Sequence, residues 1–335
     1  MAYLEGNGIQ KDESLAFEWF MKAAEQKLAT AMNNIAFCYE EGNGVKKNEQ
    51  QAFEWAMKSA KSGDADGQYH TGSYYQNGFG VKQNLFEAFK WFMKSAEQGN
   101  AEAQNMAGMA YLCGGGTQKD DDKAFKWFMR AAEQGLPIAM NNVAFCYENG
   151  CGVGENAQSV FEWYMKAAET GDASGQYKTG LCYQTGFGTE QNTSEAFKWF
   201  MKAAEQEDAE AQNMLGMAFL NGDGTQQNPS EAFQWFMKAA KQELPVAISN
   251  VAFCYENGAG VIQNYQKAFN WYLKAAEAGY PEAQYKVGLY YYNGVATTQD
   301  KKTAFAWIHK AVEQGHEEAK NFSEQEHPFE STFYS

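Results

Sequence analysis

Four histidines, His70, His309, His316 and His327, are the first candidates for catalysis or metal binding. None stands in an H-E-x-x-H run or beside cysteines at zinc spacing, so no metal ligand is expected. The six cysteines fall into two groups. Cys38, Cys146, Cys182 and Cys254 recur at one place in a repeated pattern whose other copies carry Ala110 and Ala218. That exchange reads as a small buried residue. Cys113 and Cys151 fall in expected loops without a regular partner, and a reducing compartment fits best. Gly-x-Gly recurs at Gly42, Gly78 and Gly186, but it follows helical patterns and not strands, which disfavours a phosphate cradle. Asp120-Asp-Asp122 stands at a helix start, where it reads as a cap plus solvated charge. No Ser–His–Asp or Cys–His arrangement can be assembled from loops that repeat. No catalytic residue, no cofactor and no enzymatic activity are expected.

The elements that carry these residues repeat. Trp19, Trp55, Trp91, Trp127, Trp163, Trp199, Trp235, Trp271 and Trp307 follow one another at steps of 36 and use every Trp in the chain. Around Trp199, the residues Ala196, Trp199, Phe200, Ala203 and Ala204 form the stripe of an amphipathic helix, helix B. In this reading the small residues let a neighbouring helix come close, and the Trp fills the gap between layers. The segment from Pro245 to Glu256 carries Val251, Ala252 and Tyr255 at helical spacing, and is helix A. Asn257-Gly-Ala-Gly260 then ends it, and Asn264 opens the next helix B.

Two further registers support the pairing. Asp12, Asn48, Asn84, Asp120, Asn156, Asn192, Asn228, Asn264 and Asp300 share one position, each able to cap helix B. Lys22, Lys58, Lys94, Arg130, Lys166, Lys202, Lys238, Lys274 and Lys310 lie near the C-terminal ends of the same helices, where a cation suits the helix dipole. A fixed period of this length means a stack of units, none able to bury its apolar face alone.

The expected fold is therefore all-α, a solenoid of antiparallel helix pairs with a 36-residue repeat. Residues 1–27 form a partial N-terminal repeat, 28–315 eight full helix pairs, and 316–335 a partial C-terminal helix with a flexible tail from Ser323. A longer period lies above the first. Asn33-Asn-Ile-Ala-Phe-Cys-Tyr-Glu40 returns nearly unchanged at Asn141–Glu148 and again at Ser249–Glu256, a step of 108 residues. A block of three repeats was duplicated.

The formal net charge of −15 excludes a nucleic-acid backbone as the general partner. No apolar run has the length of a membrane span, and no targeting segment is read at the start, which leaves a cytoplasmic protein or a secreted effector.

The helix pair, the G-x-G turn, the Asn/Asp cap and the A-x-x-W-x-x-K-A-A run together resemble the Sel-one-like repeat (SLR) family, relatives of the tetratricopeptide repeats. The resemblance covers nearly the whole chain. It implies a right-handed superhelix with helix A lining the concave side, and a scaffold or adaptor for other proteins. A cysteine-rich bacterial branch has a disulfide in each repeat, and the irregular loop cysteines here do not follow it. Carried over from related solenoids, the groove would be lined by Asn33, Asn34 and Phe37, then Tyr69 and His70, then Asn105, Met106 and Met109. It would continue with Asn141, Asn142 and Phe145, then Tyr177 and Lys178, then Asn213, Met214 and Met217. Asn250, Phe253, Tyr285 and Lys286 would complete it. Asparagine both donates to and accepts from an extended peptide, and rings and thioethers supply contact area.

The leading functional expectation is a non-enzymatic scaffold that binds a protein or extended peptide in this groove. Two alternatives stand beside it. One is a secreted or periplasmic binder of cell-wall glycan or of a host receptor. The other is a structural element that self-associates end to end through its N-terminal edge.

Overall fold

A computed structural model describes residues 11–326. The helix A fragment around Tyr3, and the expected tail beyond position 326, lie outside the described residues. Among the described residues there are eighteen helices and no strand, so the all-α expectation holds. They divide between two compact units, Met1–Thr170 and Gly171–Ser335.

The first unit holds α1 (Glu13–Glu25), α2 (Ala29–Glu41), α3 (Glu49–Lys61), α4 (Ala65–Asn77), α5 (Leu85–Glu97), α6 (Ala101–Cys113), α7 (Asp121–Glu133), α8 (Pro137–Asn149) and α9 (Ala157–Glu169). The second holds α10 (Ala173–Thr185), α11 (Thr193–Glu205), α12 (Ala209–Asn221), α13 (Pro229–Lys241), α14 (Pro245–Asn257), α15 (Tyr265–Glu277), α16 (Pro281–Asn293), α17 (Lys301–Glu313) and α18 (Glu317–Glu326). Odd-numbered helices of the first unit are B helices and even-numbered ones A helices. In the second unit the odd numbers again mark B helices. The last helix runs through Ser323 to Glu326, four residues past the expected end at Phe322.

Local chemistry sets each boundary. The side chain at each of the nine cap positions, from Asp12 to Asp300, accepts a hydrogen bond from the backbone N–H three residues on. Such a cap is worth about 1 kcal/mol per helix. The A helices α2, α4, α6 and α8 end in left-handed glycines, among them Gly42 and Gly114. The second glycine of G-x-G has a separate reason. A Cβ on Gly116 would fall 2.0 Å from the carbonyl oxygen of Leu85, so the loop lies directly on the start of α5.

Packing alternates between two ring contacts. From four A helices to the next B helix, a small residue receives a ring: Gly72 meets Phe92, Gly108 meets Phe128, Gly180 meets Phe200 and Gly216 meets Phe236. A Cβ on any of these glycines would come within 2.4–2.7 Å of the ring. Within each unit, rings on a B helix and the next A helix meet edge to face, as in Phe17–Tyr39, Phe89–Tyr111 and Phe233–Tyr255 at 5.2–5.5 Å. Each such pair adds about 0.5–1.5 kcal/mol beyond its buried area.

The tryptophans fill the gap between layers only in part: Trp127 is buried with Ala96, Ala103 and Ala107, while Trp55, Trp163 and Trp235 are half-buried against neighbouring core clusters. The residue after eight of the nine is a large buried one, Phe20, Phe92, Phe128, Tyr164, Phe200, Phe236, Tyr272 or Ile308, and after Trp55 it is the small buried Ala56. Trp127 is buried, Trp19 is 53% exposed, and the other indoles are half-buried. The basic residue three positions on lies over each indole, at 3.7 Å for Lys58, 3.8 Å for Lys166 and 3.5 Å for Lys238. The cations thus cover the outer faces of the indoles as well as suiting the helix ends.

Glutamines form a second link between successive pairs. Gln98 Nε2 donates to Gln68 Oε1 at 2.7 Å, and Gln68 Nε2 donates to the Ala60 carbonyl. Gln134–Gln104 and Gln242–Gln212 repeat the arrangement at 2.8 and 3.0 Å. Gln68, Gln104 and Gln212 are buried, and a buried amide without partners would be costly.

Phe128→Ala is expected to lower unfolding free energy by about 3–5 kcal/mol, read as a fall in the urea midpoint. Trp163→Ala should cost less than half as much, and equal losses would return the indole to the core. Cys38, Cys146 and Cys254 are buried, and burial pushes their thiols up to about 11, about 12 and about 12. Peptide mapping after treatment with a thiol reagent should find the exposed Cys113 modified in native protein, and those three only after unfolding.

Candidate functional site

The residues expected to line a groove lie on the A helices and fall at matching places in each repeat. In the first unit, Phe37 on α2 and Phe145 on α8 are 43% and 41% exposed. Asn33, Asn34, Tyr69, His70, Met106, Met109, Asn141 and Asn142 are half-buried. Asn105 is buried, and its Oδ1 accepts from Asn142 Nδ2 at 2.7 Å. In the second unit, Phe253 on α14 is 40% exposed, and Tyr177, Lys178, Met214, Met217, Asn250, Tyr285 and Lys286 are half-buried. Asn213 is buried there, with its Oδ1 accepting from Asn250 Nδ2 at 2.8 Å.

The asparagines therefore work in pairs, one per unit. The buried member holds the amide of its neighbour on the next A helix. The half-buried member keeps its Oδ1, which can accept an N–H from outside. The resemblance to related solenoids put Asn105 and Asn142 on one face but did not reveal that one buries the other's donor.

Tyrosine–carboxylate clusters are a feature that sequence reasoning left unassembled. Glu40 Oε2 accepts from Tyr74 Oη at 2.7 Å, and Glu148 Oε2 from Tyr164 Oη at 3.2 Å. In the second unit Glu256 accepts from both Tyr272 and Tyr290 at 3.0 Å, with Lys286 Nζ 3.7 Å away. Burial, then the nearby glutamates, push the Tyr74, Tyr272 and Tyr290 phenols well above their ordinary range. A carboxylate that already accepts two phenol protons is a poor general base. These clusters hold helices together, and the signal in the sequence is a Glu at the 108-residue step.

His316, Glu282 and Glu318 bring ligand atoms within 4.8 Å of one another. His316 Nδ1 accepts from the Ala319 N–H at 3.1 Å, so the neutral ring carries its proton on Nε2 and donates to Glu282 at 2.8 Å. Neither nitrogen then offers a free lone pair to a cation. The histidine caps α18, as Asp64 and Asn100 cap α4 and α6.

A model of the Sel1 repeat matches nine consecutive segments: residues 1–28, 29–64, 65–100, 101–136, 137–172, 173–208, 209–244, 245–280 and 281–316. The chain belongs to the Sel1 repeat family. Members of this family generally mediate protein–protein interaction and are typically non-enzymatic scaffolds. The chain is similar to a solved protective antigen present in uropathogenic Escherichia coli strains that displays an SLR fold. Identity is 32% over 95% of this chain and 76% of that one, with a TM-score of 0.69. A Sel1 repeat protein from Oxalobacter formigenes is 28% identical over 92% of this chain and 89% of its own, with a TM-score of 0.67. A search of curated proteins returned no match. Among the described residues, no helix is long and apolar enough to cross a membrane.

His70, on α4, is held in its neutral form by burial. Burial lowers the His70 pKa, and the opposing carboxylates of Glu40, Asp66 and Asp64 do not compensate. The folded protein therefore resists protonation at His70, while the unfolded chain takes up that proton at about pH 6.5. Stability held above that value is lost as pH falls below it. Thermal midpoints taken from pH 7 to 5.5 should fall further for the native Sel1 repeat protein than for His70→Gln. Superimposed curves would show that His70 is not held neutral.

Proposed function

We propose that the A-helix face of this Sel1 repeat protein binds an extended segment of a partner protein, and that the chain acts as a non-enzymatic scaffold. The observation that carries this reading is the row of exposed phenylalanines. Phe37, Phe145 and Phe253 stand at one register, 108 residues apart, and each leaves about two-fifths of its surface open to water. An apolar ring kept open at the same place in successive three-repeat blocks gains nothing for the fold, and such surfaces mark interaction sites.

The neighbouring groups suit a peptide main chain. The Oδ1 atoms of Asn142 and Asn250 accept backbone N–H groups, and their orientation is set by the bonds their amides make to Asn105 and Asn213. A preset acceptor loses little entropy on binding. Aromatic rings beside it then supply area for side chains of the bound segment. The groove expected from the sequence is in this reading two stretches, one on each compact unit.

Affinity for a peptide selected by the native protein from a displayed library tests this reading. Phe145→Ala with Phe253→Ala should weaken that affinity by roughly ten-fold or more, with the thermal midpoint within a few degrees of the native value. Undiminished affinity would place the binding surface elsewhere.

A further inference from the structure

One place on the A-helix face of the first unit is built differently from its copies. An open apolar pocket of about 210 Å³ lies between α5 and α6, lined by Leu85, Phe89, Phe92, Met106, Met109 and Cys113 among others, with Ala110 and Gly115 in its wall. One repeat earlier, the corresponding space is filled from within. There Tyr74 stands where Ala110 does and Phe79 where Gly115 does, and their rings pack at 5.0 Å over Ala52, Phe53 and Ala56. In the later copy neither ring is present: Ala110 is small, as Cys146, Cys182 and Ala218 are at the same register, and Gly115 removes the remaining side chain. Phe92 in place of Ala56 takes back only part of the volume.

The vacancy is specific to this repeat. No other copy of the Gly115 position lacks a side chain: Asn43, Phe79, Cys151, Phe187, Asp223, Ala259 and Val295 occupy it. At the step of 108, Thr193, Asn221 and Asp223 replace Leu85, Cys113 and Gly115, so the second unit has a polar rim at this point.

Charge narrows the occupant. At the registers of Asn33, Asn34, Phe37 and Glu40, repeated on α4, α6 and α8, the ionised groups are Glu40 and Glu148, and Lys and Arg do not occur. On the B-helix side Lys90, Lys119 and Lys123 are tied to Glu87, Asp121 and Asp120 at 2.8, 3.5 and 2.9 Å, Lys94 lies over Trp91, and Lys82 is exposed in the loop before α5. The charges carried on the A-helix registers themselves are acidic, in keeping with the net charge of −15.

We infer that this pocket receives a phenylalanine side chain from a basic segment of the partner protein, in the place that Phe79 fills internally one repeat before. The inference rests on the A-face binding reading and names its first anchor. The bound ring would touch Met106 and Met109, whose thioethers adapt to aromatic edges. Lysines or arginines on either side would run toward Glu40 and Glu148.

Gly115→Phe is the test, because it rebuilds the Phe79 arrangement. A Cβ at Gly115 meets only the Ala110 Cα, at 3.8 Å, so the backbone accepts the change. The probe is a fluorescent pool of twelve-residue peptides with a central Phe, Lys or Arg on both sides and randomised positions elsewhere, followed by anisotropy. The native protein should bind the pool, and Gly115→Phe should weaken binding roughly ten- to thirty-fold with an unchanged or higher urea midpoint. Replacing the peptide Phe by Ala should weaken binding to the native protein by a similar factor and leave binding to Gly115→Phe unaltered. Failure of the pool to bind, equal binding of a pool with Glu in place of the cations, or indifference to Gly115→Phe would each overturn the inference. Loss of binding in Phe145→Ala together with indifference to Gly115→Phe would leave the A-face reading standing and remove only the pocket. A concentration-dependent dimer dissolved by Gly115→Phe would assign the pocket to a second copy, and would equally overturn it.

Discussion

The seating of a ring on a residue with no side chain, or nearly none, is the contact on which this molecule depends. Phe92, Phe128, Phe200, Phe236 and Ile308 each press on a glycine of the A helix before their own B helix. The helices can approach closely because the A-helix residue is small, and the ring gains contact over its whole edge. A thirteen-residue helix has little stability alone in water. A pair joined through one such seat still exposes its outer stripe, so only the next pair completes the core. The array is stable as a sum of neighbouring contacts, and no single repeat contains its own centre.

This arrangement was partly legible in the sequence. Helix boundaries were legible because their causes are local: a carboxamide or carboxylate cap reaches three residues, and a left-handed glycine ends the helix it follows. The role of Trp was legible only in part, since Trp127 is buried while its copies are half-buried or, at Trp19, exposed. Regular spacing and large size suggested a core residue, but Phe200 lies nearer the middle of the stripe made by Ala196, Ala203 and Ala204, and Trp199 falls at its edge. The basic residue three positions later was the available clue, since an ammonium group cannot lie over an indole that is sealed inside. The glutamine links were missed because each joins residues 30 apart, a spacing that no helical period marks.

The candidate surface divides the same way. The resemblance to related solenoids put the asparagines on one face, but burial split them into holders such as Asn105 and presenters such as Asn142. That split arises from contacts 37 residues apart, between successive A helices, and it turns on which member reaches the next repeat. The glutamates at the 108-residue step close the repeated stretches that begin at Asn33, Asn141 and Ser249. In three dimensions they gather phenols from different helices, and the count of phenols changes from one on Glu40 to two on Glu256. Local patterns describe a repeat, whereas these features describe what one repeat does to the next.

Duplication makes copies alike, so departures between copies carry more information than the shared residues. The pocket beside Gly115 is such a departure, and a compact globular core would not tolerate it easily. Removing two rings from a closed interior leaves an empty space whose lining loses dispersion contacts, and the surroundings relax only in part. In a linear array the same loss lies at the surface between two pairs. Water can enter it, and the effect stays with the adjoining helices, because each repeat touches only its neighbours. The seats of Phe92 on Gly72 and Phe128 on Gly108 persist on either side of the gap. An array of this kind can therefore give up internal packing at one repeat and keep its fold, which leaves an apolar opening to be filled by a side chain from outside.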